Sequence, residues 1–179
     1  YIPLDVQKQQ IDLLSLSAHK MYGPKGVGAL YVRRSNPRVR LAPVFYGGGH
    51  ERGMRSGTLN VPGIVGFGVA AELARREMKE QAAQLRSWTE QLFVGLQERI
   101  EGIELNGHPT ERLPHNLNLY IPGVESRAFI AGLKDLAVAT GSACTSASVE
   151  PSHVIMALGF GEARAHGSLR SRCRSGASR

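Results

Sequence analysis

Leu85, Trp88, Leu92, Leu96 and Ile100 recur at intervals of three and four residues, the spacing that gathers side chains on one side of an α-helix. Pro62 suits a first helical turn, where a missing backbone N–H costs nothing. The pattern therefore predicts one helical region from Pro62 to about Ile100. Gly63, Gly66 and Gly68 weaken its start and allow a kink near Met78 to Ala82. Around this segment the apolar runs are too short for helices. Leu13 to Ser17 and Val27 to Val32 read as strands separated by Gly23-Pro24-Lys25-Gly26, the second closed by Arg33-Arg34-Ser35-Asn36-Pro37. Ile103 to Leu105, Leu117 to Ile121 and Leu136 to Ala139 read as further strands, Ser126 to Leu133 as a helix, and Glu150 to Leu158 as a helix ended by Gly159. One long helix among short strands gives an α/β or α+β class.

Composition narrows the function classes. The chain has 179 residues, is 42% hydrophobic and 21% charged, which is globular and excludes collagen, coiled coil and disorder. No apolar run approaches the roughly 18–20 residues of a membrane-spanning helix, so no membrane role is expected. Tyr1-Ile2-Pro3-Leu4-Asp5 has no initiating Met and no leader pattern, and reads as the middle of a longer sequence. Cys144 and Cys173 form no paired framework, which points to a reducing, cytoplasmic setting. The six histidines match no metal-ligand spacing. Of the net charge of +7, Arg172, Arg174 and Arg179 supply three in a tail without aromatic residues. Such a tail supports weak, unspecific contact with nucleic acid and no recognition of it.

Three constellations could carry chemistry. Ser17-Ala18-His19-Lys20 ends a strand, where a partly desolvated lysine amine can attack a carbonyl; otherwise Lys20 is a solvated charge. His50 to Thr58 combines glycines, arginines and hydroxyls ahead of a helix start, an arrangement suited to phosphate or carboxylate; otherwise it is a basic surface loop. Gly141 to Ser148 surrounds Cys144 with small residues, as a thiol that carries a group between sites requires; otherwise Cys144 is a structural cysteine. Gly66-Phe67-Gly68-Val69-Ala70-Ala71 matches a dinucleotide fingerprint, but no strand precedes it.

Taken together, Ser17 to Gly26, Gly47 to Thr58 and Gly141 to Ser146 closely resemble the cysteine desulfurases of the IscS/NifS type. These are pyridoxal-phosphate enzymes with the class V aminotransferase (type I transferase) fold. The resemblance runs from Tyr1 to about Arg170. It implies a remnant of the large cofactor domain over residues 1–78 and an α+β small domain over 79–170. It implies that Lys20 attaches the pyridoxal 5'-phosphate, that Ser17 and His19 contact its phosphate, and that Thr58 reaches the phosphate of the neighbouring subunit in a homodimer. Cys144 matches the nucleophile that takes sulfur from L-cysteine, leaves L-alanine and becomes a persulfide. Arg170 matches the arginine that pairs with the substrate carboxylate. The sulfur would pass to an iron–sulfur scaffold protein or to a tRNA-thiolation acceptor. Through its persulfide, Cys144 is also offered as a ligand to a transient iron–sulfur cluster on that scaffold.

Two departures from the pattern stand out. The family's earlier half, with the residues that stack on the ring and face its nitrogen, has no counterpart here, so the strands at Leu13 and Val27 should expose edges. Little stable cofactor binding is expected of these residues alone. After Arg170, residues 171–179 become Arg/Ser/Gly-rich where the family continues with apolar sequence, which reads as an aberrant basic tail from a shifted frame; Cys173 receives no role. A non-catalytic module that binds a scaffold or a desulfurase subunit is the alternative function.

Overall fold

The computed structural model describes residues 1–134, 136, 138–139 and 150–173. Its contacts divide the chain into two compact units, one of Pro3–Met78 and one of Tyr1–Ile2 with Lys79–Arg179. The division falls inside the long helix α1, Val61–Gln97. Among the described residues no helix is long and apolar enough to cross a membrane.

In the unit of residues 3–78, β1 (Leu13–Ser17) pairs with β2 (Gly28–Val32). The pairing is antiparallel, with Leu13 opposite Val32 and Ser17 opposite Gly28. Ten residues lie between them, too few for a parallel crossover. They form a two-stranded sheet. The buried apolar residues of this unit are Ala18 and Ala70, whereas Leu30, Val44, Phe45, Tyr46, Val65 and Val69 are exposed. Asn60 caps α1 by accepting the Gly63 N–H at 3.1 Å. The glycines that weaken the helix in sequence terms serve packing here. A Cβ on Gly66 would stand 2.6 Å from Pro24 Cγ, and one on Gly23 would stand 3.1 Å from Ala70 Cβ. Small residues thus let the 18–24 turn lie against α1.

Arg33 organises the edge of this unit. Its side chain is 7% exposed and pairs with Asp12 at 2.8 Å. It also donates to Val6 O and Ile11 O at 3.0 Å and to Asn36 O at 3.2 Å. The backbone donors of a surface loop would satisfy these carbonyls less well than one rigid guanidinium does.

The other unit is built on β3 (Glu104–Leu105), β4 (Asn116–Tyr120) and β5 (Ser168–Arg172), antiparallel in the order β3-β4-β5. Its core is Ile103, Leu117 and Leu119, packed against Phe93, Leu96 and Ile100. The inner face of α1 is therefore turned slightly from the expected one. Leu85 and Thr89 are buried, while Trp88 and Leu92 are 40% and 37% exposed. With 3.6 residues per turn, positions 85, 89, 93 and 96 follow one stripe as closely as 85, 88, 92 and 96 do. Thr89 satisfies its buried hydroxyl by donating to Pro114 O at 2.8 Å.

Among the described residues this unit also carries three short helices, α2 (Ser126–Gly132), α3 (His153–Ala157) and α4 (Glu162–His166). Glu125 caps α2, its carboxylate accepting the N–H groups of Arg127 and Ala128. Those bonds hold its carboxyl below the usual range. Gly159 turns the chain after α3 at φ +87°, as its position suggests. Of the expected strand at 136–139, the described part is a single bridge between Ala139 and Arg170. The expected tail boundary at Ser171 falls within β5, which runs to Arg172 opposite Asn116.

Candidate active site

A strand-to-turn corner presents the first constellation. β1 ends at Ser17 and the chain enters a 3-10 turn, Ala18–Met21. Ala18 roots this turn: it is fully buried, its N–H donates to Val27 O at 3.1 Å, and its carbonyl accepts the Gly23 N–H at 2.9 Å. Tyr22 then reverses the chain at φ +64°. With the backbone anchored at Ala18, the flanking His19 and Lys20 are exposed. Ser17 occupies the cap position, yet its hydroxyl makes no capping hydrogen bond. One corner thus offers a primary amine, an imidazole and a hydroxyl that the turn does not consume.

That donor set fits a ligand bearing both a carbonyl and a phosphate, as pyridoxal phosphate does. The amine can condense with the aldehyde, and the hydroxyl and imidazole can donate to phosphate oxygens.

The second constellation forms a separate loop. His50–Gly53 is a 3-10 turn in which Glu51 and Arg52 take left-handed backbone angles. His50 Nδ1 lies 3.0 Å from Gly48 O, and Arg55 Nη1 donates to Gly57 O at 3.0 Å. Arg55 thus spends part of its fork within its own loop. Thr58 is exposed, and among the described residues it makes no hydrogen bond to Ser17, His19 or Lys20.

Arg170 belongs to the other unit. It stands in β5 opposite Asn118, and its backbone is paired with Ala139 at 2.7 and 3.0 Å. Burial, and secondarily Arg172, hold its guanidinium below its usual range, although it stays charged. Cys144 lies outside the described residues. Ala139, bridged to Arg170, is the last described residue before the 140–149 segment that contains it. The dinucleotide-like run from Gly66 lies wholly within α1. Among the described residues no three His, Cys, Asp or Glu side chains gather as a metal site.

Two features escaped the sequence reading. A cleft of about 650 Å³ beside β2 is lined by Arg34, Arg38, Arg40 and Arg52 with a single acid, Glu51. Its excess positive charge suits an anionic surface. The crowding of Arg33, Arg34, Arg38 and Arg40 into eight residues was the available signal. The second is a polar cluster around Arg164, whose members are scattered from Glu104 to Ser168 and share no motif.

Comparison with known proteins gives these positions a context. A family model described as aminotransferase class-V matches residues 1–172. Cysteine desulfurase IscS of Anaeromyxobacter dehalogenans is 56% identical over 169 residues, which is 94% of this chain and 42% of that protein. The mitochondrial cysteine desulfurase of Arabidopsis thaliana is 53% identical over the same length, covering 37% of that protein. The chain thus spans about two fifths of the curated relatives it matches. Among solved structures, a NifS-like protein from Rickettsia africae superposes with a TM-score of 0.82 at 28% identity, covering 96% of this chain and 44% of that one. SspA in complex with cysteine superposes with a TM-score of 0.70 at 36% identity, covering 94% and 46%.

Proposed function

We propose, since this chain belongs to the aminotransferase class-V family, that its residues serve a cysteine desulfurase. The observation that carries this is the exposed Lys20 on its anchored corner, in a chain 56% identical to an IscS over 94% of its length. Residues 1–78 would belong to a cofactor domain and 79–170 to a small domain; the division of contacts after Met78 supports that reading.

Pyridoxal phosphate, when bound, supplies an electron sink for charge at the substrate α-carbon. Ser17 and His19 would donate to its phosphate, and Lys20 would hold it and then carry a proton at the α-carbon of L-cysteine. Arg170 would orient the substrate by pairing its fork with the carboxylate. The Cys144 thiolate would attack the substrate sulfur. A new S–S bond forms, the substrate Cβ–S bond breaks, and the electron pair left on carbon takes up a proton, giving L-alanine and a persulfide on Cys144. That sulfur would pass to an iron–sulfur scaffold or a tRNA-thiolation acceptor in the cytoplasm, with Cys144 able to ligate a cluster formed there. Thr58 would reach the phosphate of a second subunit.

Borohydride reduction of the chain mixed with pyridoxal phosphate, followed by peptide mapping, tests the reading. Whatever label these residues retain is expected on Lys20 ahead of Lys8, Lys25, Lys79 and Lys134, and in the chain completed by the family's earlier half L-alanine formation is expected to vanish in Lys20→Ala and Cys144→Ser. Labelling spread evenly over the lysines would refute it. A second reading, a non-catalytic interaction module, draws on the core that residues 79 onward possess themselves. Capture of a scaffold protein that persists in Cys144→Ser, without L-alanine production, would favour it.

A further inference from the structure

The Arg164 cluster lies beside a residue of the proposed site. Arg164 stands on α4, and its side chain is 15% exposed. Nε donates to Asn106 Oδ1 at 2.7 Å, Nη1 to the Glu104 carboxylate, and Nη2 to Leu105 O at 3.3 Å. Its central carbon lies 3.8 Å from the Phe160 ring centroid and 5.3 Å from that of Tyr120. The fork is therefore held in plane by acceptors and over its face by rings.

Asn106 passes that constraint on. It is 4% exposed, and its Nδ2 donates to Asn118 Oδ1 and to Ser168 Oγ, both at 2.8 Å. Ser168 is fully buried, and its hydroxyl donates to Arg164 O at 2.6 Å, closing a ring of contacts. The two side chains so fixed are the neighbours of Arg170. Asn118 faces it across the β4–β5 ladder, and Ser168 precedes it by two residues on the same side of β5. On the far edge Ala139 takes both backbone groups of Arg170.

We propose that Arg164 is a positioning residue for Arg170, setting the direction in which that guanidinium meets a substrate carboxylate. The inference rests on the reading of Arg170 as the carboxylate partner. A bidentate pair gains from a fork whose orientation is set before binding, because a freely rotating arginine loses that freedom on every encounter. A lysine at 164 could keep the charge opposite Glu104 but could not also serve Asn106 and Leu105 from one plane.

The test is arginine labelling of the 179-residue chain with phenylglyoxal, read by peptide mass spectrometry with and without L-alanine. Arg127, on α2 of the same unit, is the internal reference. In the unaltered chain L-alanine is expected to protect Arg170. In Arg164→Leu, and in the milder Arg164→Lys, Arg170 is expected to label faster and to lose that protection while Arg127 is unchanged. Unchanged labelling and protection in both variants would overturn the proposal, as would an equal rise at Arg127, which reports general loosening. Absence of protection in the unaltered chain would instead reject the carboxylate role of Arg170, leaving the labelling rate to decide the positioning.

Discussion

Replacing Arg33 by methionine keeps an unbranched apolar stem in the same space and removes the guanidinium. Three carbonyls, those of Val6, Ile11 and Asn36, then lose their donor, along with the ion pair to Asp12. Each bond from a charged donor is worth about 1.5 kcal/mol, so the three carbonyls sum to about 4–5 kcal/mol. Asp12 is 54% exposed, and solvent screening limits its share to less than about 1 kcal/mol. Water can reach part of the released loop, which brings the expected cost to about 2–4 kcal/mol. Only Ala18 and Ala70 are buried apolar residues in this unit, with Leu14, Leu16, Tyr31 and Val32 partly covered, so apolar packing offsets little of that loss. Amide hydrogen exchange across β1 and β2 reads the effect. Exchange of the Leu14, Leu16 and Tyr31 amides, which lie at the hydrogen-bonded pairs of the ladder, should accelerate by about 30- to 1000-fold. Asp12→Asn should change it far less, and Arg33→Lys should recover only part of the loss. A change below about 1 kcal/mol in Arg33→Met, or an Asp12→Asn cost equal to it, would refute the argument that the carbonyls carry the stability.

Alanine substitutions within α1 should divide by packing. Gly66→Ala forces a Cβ to within 2.6 Å of Pro24 and should destabilise by about 1–3 kcal/mol, whereas Gly68, with nothing within 4 Å, should gain about 0.5–1 kcal/mol from higher helix propensity. Urea midpoints compare the two, and equal effects would contradict the close approach. His115 is 6% exposed and its Nδ1 has no hydrogen-bond partner among the described residues; burial first, then Arg172, push its imidazole below the ordinary value of 6.5. The folded chain favours the neutral ring while the unfolded chain binds a proton near pH 6.5, so stability should fall as pH drops below 6.5 toward the folded value. His115→Phe should flatten that slope, and an unaltered slope would place its origin elsewhere.

Local signals were enough for the local features. The period of α1, the strands at 13–17 and 28–32, and Gly159 at a helix end follow from rules that act within a few residues, and they were legible as such. So was the chemistry of the Lys20 corner, because Ser17, His19 and Lys20 are adjacent in the chain. The short α4 and the strand β5 were missed, since Glu162–His166 and Ser168–Arg172 hold a single large apolar residue, Leu169, and so show no apolar pattern.

What the tertiary structure decided is which side of each element turns inward and what meets there. Trp88 and Phe93 are equally apolar, and only the position of the sheet selected Phe93 for the core. Arg33 and Arg34 are identical letters in sequence, yet one is clamped by loop carbonyls and the other lines a basic cleft. The ring of contacts from Arg164 through Asn106 and Ser168 joins residues about sixty positions apart. Sequence patterning records how a side chain relates to its own helix or strand. It holds no record of distances closed by folding, and those distances determine which polar groups become partners.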